Sequence, residues 1–329
     1  MHFSRNYQGC VNDDSAPVVK EKNEFETALF ADQQRFIRIY TPTNEYVKVL
    51  QNQLSISVNI RPSAILKNTK KAINRFANRW ILQAAVRFDN KISDNDSINN
   101  YNIFLNIPDT FLLAANNNSR YSVFFNQSSA VFGADYTHVD NRARQLLTNG
   151  VEEKTILSDE IKWRLSFLKS WAINSNNIIS TKGNSSRYFT SRNYKIKGYE
   201  TEQKLVFQPN TVFRLSLIYK YNEKRNKIEQ GTQTAFLHTY AFEIKYNQTE
   251  KGSLTGRFDV IRIMYNDTEN SSVAYEMLNG LSKGDNYTWE LSYQRNLNNN
   301  IQISINYNGR KTPNAPVVHL GGAQIRAFF

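Results

Sequence analysis

Residues 213–221 read FRLSLIYKY. Phe213, Leu215, Leu217, Tyr219 and Tyr221 alternate with Arg214, Ser216, Ile218 and Lys220, and a period of two is that of a β-strand, whose successive side chains point to opposite faces. The pattern returns upstream in Leu54 to Ile60, Trp80 to Phe88, Tyr121 to Phe125, Phe132 to Tyr136 and Ile161 to Phe167, and downstream in Tyr240 to Tyr246, Tyr287 to Tyr293 and Ile301 to Tyr307. One set of positions is apolar and aromatic. The opposite set carries Arg87, Lys162, Arg164, Arg214, Lys220, Glu243, Lys245 and Glu290, and Arg326 continues it near the C-terminus.

The connections separate two ways of using such strands. Asn126–Ala130, Ile173–Asn177, Gln208–Thr211, Thr249–Gly252 and Leu297–Asn300 read as tight polar turns. Between them stand longer polar stretches at 89–119, 141–160, 183–193, 222–231, 266–286 and 309–316. Short turns alternating with long loops mark outer-membrane barrels, whereas Greek-key sandwiches have no reason to keep that phase. The expected fold is therefore all-β: an antiparallel, transmembrane up-and-down β-barrel of roughly 12 to 14 strands over residues 48–329. The nine charged residues named above would line its lumen. An even strand count would bring both ends of the sheet to the short-turn side.

The composition fits this reading. The 329 residues include 18 Tyr, 20 Phe and 4 Trp, yet mean hydropathy is −0.57, and Lys and Arg outnumber Asp and Glu by 41 to 29. No window reaches the 18 or more apolar residues of a membrane-spanning helix, a test that says nothing about barrel strands. The lone Cys10 excludes an internal disulfide. A net charge of +12 suggests nucleic acid, but the cations are dispersed over alternate strand positions rather than gathered into a patch, so no nucleic-acid partner is expected.

Two segments depart from the strand pattern. Residues 1–47 read as a leader or linker with a candidate first strand at Phe36–Tyr40. The first ten residues lack the apolar run of a secretory signal, so an outer-membrane location implies a fragment of a longer exported chain. Arg61–Arg79 falls where a short turn is due, but is long and basic. Ile65, Leu66, Ile73 and Phe76 predict one amphipathic helix there, either an interfacial one with Lys67, Lys70, Lys71 and Arg75 facing lipid headgroups or a partner, or an ordinary solvated helix packed on the barrel rim.

At the C-terminus, Ala323, Ile325, Ala327 and Phe329 share one face of the last strand, and Gly322, Gln324, Arg326 and Phe328 the other. An alternating strand closed by an aromatic residue resembles the signal by which outer-membrane barrels engage their assembly machinery, which assigns that role to Ile325, Phe328 and Phe329. The segment Tyr275–Phe329 more broadly resembles the closing part of large, mostly uncharacterised outer-membrane proteins of Bacteroidota. The resemblance is carried by Glu276-Met277-Leu278-Asn279-Gly280 with Gly284, Asn286, Tyr287 and Trp289, by Tyr307-Asn308-Gly309-Arg310-Lys311, and by His319, Gly321 and Arg326-Ala327-Phe328-Phe329. It implies a barrel, preceded in those longer proteins by a signal peptide and periplasmic modules, and it implies no catalytic residues.

Catalytic chemistry finds little support. The four histidines show no metal-ligand spacing, HExxH and GxSxG are absent, and Asp135 and His138, three apart on a strand, face opposite ways. No enzyme activity, cofactor or metal is expected. The expected function is a non-enzymatic outer-membrane barrel serving transport, anchoring or envelope assembly, with outer-membrane lipid, the barrel-assembly machinery and other envelope proteins as partners. The alternative is a soluble secreted all-β module binding glycans through exposed aromatics and Asn.

Overall fold

The computed structural model describes residues 3–5, 38–40, 48–66, 71–93, 112–147, 150–186, 192–228, 231–248, 251–298, 300–313 and 315–327, to which the following refers. The chain divides into two units, Met1–Lys48 and Val49–Phe329. In the first, β1 (Phe3–Arg5) pairs antiparallel with β2 (Arg38–Tyr40). A strand does form within the stretch expected at Phe36–Tyr40, but its partner is β1 and it is no member of the large sheet.

The second unit is one thirteen-stranded sheet in which every strand pairs antiparallel with its sequence neighbours. Its strands are β3 (Val49–Ile60), β4 (Trp80–Ser93), β5 (Leu112–Phe125), β6 (Phe132–Leu147), β7 (Gly150–Phe167), β8 (Trp171–Ser186) and β9 (Tyr194–Phe207). They continue as β10 (Phe213–Asn226), β11 (Thr234–Gln248), β12 (Gly252–Tyr265), β13 (Gly284–Asn298), β14 (Ile301–Lys311) and β15 (Val318–Ala327). β3 and β15 are its edges, with no pairing between them among the described residues. Because thirteen is odd, β3 starts at the end with long connections and β15 finishes at the end with short turns, contrary to the even-count expectation.

Register separates the two faces, with a polar island in the apolar one where Ser175 and Asn177 of β8 meet Thr201 and Gln203 of β9. Leu217, Phe242, Phe258, Trp289, Gly309 and His319 lie in one cross-strand row, and Leu82, Val123, Tyr136 and Ile161 in another. All belong to the apolar face. Burial is inverted relative to a water-soluble domain: Leu82, Ile161, Ile179, Leu217, Tyr240, Phe242, Phe258, Leu291, Ile305 and Ile325 on the apolar face are exposed, while Ser122, Thr137, Ser216, Asn222, Glu243, Asp259 and Asn286 on the polar face are buried.

Several expected connections lie elsewhere. Ile173–Asn177 is interior to β8; the turn is at 168–170, with Leu168 left-handed at φ 55°. The polar residues there are satisfied within the sheet, since Gln203 donates to Ser175 Oγ at 2.8 Å and Thr201 donates to Asn177 Oδ1 at 2.8 Å. Residues 141–147 and 150–160, expected within a loop, are the ends of β6 and β7, strands of 16 and 18 residues that stay paired as far as Leu147 opposite Gly150. Where the turns are as expected, side chains define them. Asn210 Oδ1 accepts from the N–H groups of Val212 (3.0 Å) and Phe213 (2.8 Å), an Asx turn that launches β10.

The single helix expected across Arg61–Arg79 is instead two short pieces, α1 (Pro62–Ile65) and α2 (Ala72–Ala77). Leu66 leaves helical geometry at φ −92°, ψ 70°, which ends α1 after Pro62 has started it. A third helix, α3 (Ser272–Leu278), lies within 266–286, where the sequence predicts a long polar connection.

Candidate functional site

The nine charged residues proposed for the lumen share one face of the sheet. Cross-strand partners point the same way, and Arg214 stands opposite Lys245, Glu243 opposite Arg257, Arg257 opposite Glu290, and Lys162 opposite Asp135. Arg87, Arg164, Lys220 and Arg326 follow by the same register.

Most of these charges are engaged. Glu243 is met by Lys204 at 3.3 Å, Lys245 at 3.4 Å and Arg257 at 4.0 Å. Arg257 also grips Asp259, whose second oxygen accepts from Thr288 at 3.2 Å. Lys162 pairs with Glu160 at 2.9 Å and Lys220 with Glu200 at 2.7 Å. Arg87 approaches Asp89 at 4.0 Å. Arg164 and Arg214 act on the short turns: Arg164 donates to the carbonyls of Asn126, Gln127 and Ser129, and Arg214 donates twice to Gln208 Oε1, at 2.9 and 2.7 Å. The polar face thus interlocks most of its charges.

At the long-connection end, α3 docks on this same polar face. Ser271 caps it, accepting from Ala274 N–H at 3.0 Å, and Asn279 closes it in the left-handed region at φ 56°. Val273, Ala274, Met277 and Leu278 are buried against Ile196, Ala235, Leu237, Ile263 and Tyr265, forming a hydrophobic core on the otherwise polar face. Cations pin its other side. Lys182 bonds Glu276 at 2.6 Å, and Lys224 donates to the Glu276 carbonyl at 2.9 Å and to Asn279 Oδ1 at 2.6 Å. A cavity of about 190 Å³ remains beneath, lined by Glu200, Lys220, Asn222 and Lys224 among others. In the loop leading to α3, bonds from the Thr268 backbone and the Gln233 amide hold the Asp267 carboxyl below the usual carboxylate range.

α3 is not among the expected elements, although its signals stand in the sequence: a Ser cap, apolar residues at 273, 274, 277 and 278, and Asn-Gly after the last turn. The quoted elements of the closing segment now have structural roles. Glu276, Met277, Leu278 and Asn279 are the docking residues, and Asn286 is fully buried, donating to the Ser282 carbonyl at 2.7 Å. A Cβ at Gly309 would stand 2.1 Å from the Trp289 ring, so only glycine admits the indole that crosses β14. Trp289 and Tyr307 both flank His319, with Tyr307 Oη 2.8 Å from His319 Nδ1.

The apolar face carries rings near both ends of its strands. Trp80, Phe125, Phe132, Phe167, Trp171, Phe207 and Phe213 cluster by the short turns, with Trp80–Phe125 centroids 4.9 Å apart and Trp171–Phe207 4.7 Å. Tyr199, Tyr221, Tyr240 and Tyr287 form a second band, eight to eleven residues along their strands from the short turns, with His238 beside Tyr221, while Tyr121, Tyr136 and Tyr219 lie between the two bands. Asp135 is on the polar face and His138 on the apolar one; His138 Nδ1 instead lies 2.8 Å from Asp159 Oδ1, which also accepts from Tyr136.

Of the remaining expected site residues, Ile325 is exposed on the apolar face, and Lys71 and Arg75 belong to the α2 region. Phe328, Phe329, Lys67 and Lys70 lie outside the described residues. Among the described residues no three His, Cys, Asp or Glu side chains are grouped to hold a metal ion. No known protein family matches the chain, and no curated protein matches it.

Proposed function

We propose that this chain forms a non-enzymatic outer-membrane β-barrel whose polar face lines the lumen and whose apolar face meets lipid. The observation that carries the reading is the inverted burial. In water the ten exposed apolar side chains named above would each forgo about 1 kcal/mol of transfer free energy, roughly 10 kcal/mol together, which rivals the ~5–15 kcal/mol net stability of a folded domain. In hydrocarbon that cost vanishes, and closing the sheet satisfies the backbone groups of β3 and β15. The two aromatic bands suit the membrane interfaces. Phe207 and Tyr199 are separated by about 26 Å along β9, or about 20 Å for a tilted strand, near the ~25 Å apolar band of such barrels.

The role is guarded transport or anchoring in the envelope rather than free diffusion, because the charges of the wall interlock and α3 occupies part of the polar face at the long-connection mouth. β15, with Ile325 exposed on its apolar face, is the strand that would engage the assembly machinery. The test is fractionation of the full chain. It should sediment with outer membranes and migrate faster on a gel unheated than boiled; recovery as a monomer without detergent would refute the barrel. In planar bilayers the conductance should be small.

A further inference from the structure

We infer that the short-turn end of the sheet carries a binding surface for anionic phospholipid headgroups, built on the connection that holds α1 and α2. The inference rests on the membrane reading above and adds to it a lipid class and a location. The Phe76 ring of α2 lies 6.0 Å from Trp80 and 6.2 Å from Phe125, both on the apolar face. α2 is therefore held on the lipid-facing side of the rim, clear of the polar wall. The connection is tied down: Asn126 N–H donates to the Arg79 carbonyl at 2.8 Å, and the Asn78 amide donates to the Leu66 carbonyl at 3.1 Å.

Neither helix buries a residue, and neither has a side-chain cap. Helices this short are unstable alone. Ile65, Ile73 and Phe76 stand 75, 73 and 56 % exposed. Such side chains find a favourable place at the boundary of headgroups and acyl chains. Around them stand Lys71, Arg75 and Arg79, and more distant turns at the same end of the sheet carry Lys169 and Lys251. The short-turn connections carry one acidic residue in the sequence, Glu250 beside Lys251, and none lies in the connection that holds α1 and α2. A basic surface with embedded apolar side chains, placed at the interface, selects an anionic leaflet over a zwitterionic one, at roughly fivefold per cation near the surface.

The test measures lipid retained by the detergent-purified, immobilised full chain from equal supplies of phosphatidylglycerol and phosphatidylcholine. The native chain should retain the former preferentially, and Lys71→Gln/Arg75→Gln/Arg79→Gln should lower that preference at least tenfold at unchanged heat-modifiable mobility. If the triple variant loses that mobility, Lys71→Gln and Arg75→Gln alone should each lower the preference a few-fold. A preference unchanged in variants that still behave as barrels overturns the headgroup site and leaves the membrane reading standing. Recovery of the native chain as a detergent-free monomer defeats both.

Discussion

Two helical connections of this chain fold to opposite sides of one sheet. α3, seven residues long, buries four side chains on the polar face; α2, six residues long, buries none and leans its Phe76 on the aromatic rim of the apolar face. Length and helix propensity do not distinguish them. The surface each one meets does. β9, β11 and β12 present Ile196, Ala235, Leu237, Ile263 and Tyr265 at their long-connection ends, a local apolar area within a polar wall, and α3 covers it. α2 meets the Trp80 and Phe125 rings at the edge of the apolar face and leaves Ile65 and Ile73 exposed. One helix completes the protein's own packing, and the other is shaped for packing against something else.

The largest expected effect breaks that contrast directly. Met277→Asp places a carboxylate in a fully buried site, which costs several kcal/mol unless the helix leaves the wall. α3 should undock, seen as protease cleavage within 266–283 and increased conductance in planar bilayers, with heat-modifiable mobility retained. Ile73→Asp in α2, already exposed, should leave both readouts as in the native chain. Equal sensitivity of the two variants would show that the helices do not differ in kind.

Next in size is Lys224→Met. The buried ammonium makes two hydrogen bonds to the end of α3, to the Glu276 carbonyl and to Asn279 Oδ1. Methionine keeps most of the volume but leaves both acceptors without that donor, a loss of about 1–3 kcal/mol of docking. Protease cleavage in 266–283 should rise, though less than for Met277→Asp. No change would mean that the apolar contacts alone hold the helix.

These contrasts also bear on what could be read from the sequence. The alternation was legible because every strand repeats it, and all nine charged lumen candidates fall on one face since a period of two needs no tertiary knowledge. The errors arose where polarity has another cause. Ser175 and Asn177 look like a turn, but they exchange hydrogen bonds with Thr201 and Gln203 across β8 and β9. Glu152, Lys154 and Arg142 look like a loop because long strands extend beyond the apolar band, where both faces turn polar. Helices were misjudged in both directions. Arg61–Arg79 has helical spacing, but α1 stops at Leu66; Ser271–Gly280 has caps and an apolar stripe, but its burial depends on five residues from three distant strands. The interlocking of Glu243 with Lys204, Lys245 and Arg257 joins residues on three strands in contacts that spacing cannot specify.

The finest test of the contrast concerns helix ends. α3 has a side-chain cap, since Ser271 Oγ accepts from Ala274 N–H, and α2 begins at Lys71 without one. Ser271→Ala removes that acceptor and should destabilise α3 by about 1 kcal/mol, and amide exchange at 272–275 should quicken about fivefold. The corresponding gain is available to α2. Lys71→Ser supplies a capping oxygen and also removes a cation from the headgroup surface, so a stabilised helix should coincide with weaker phosphatidylglycerol preference. If capping α2 instead strengthened lipid selection, helix order rather than charge would govern that surface, and the resemblance between the two helices would be greater than their packing implies.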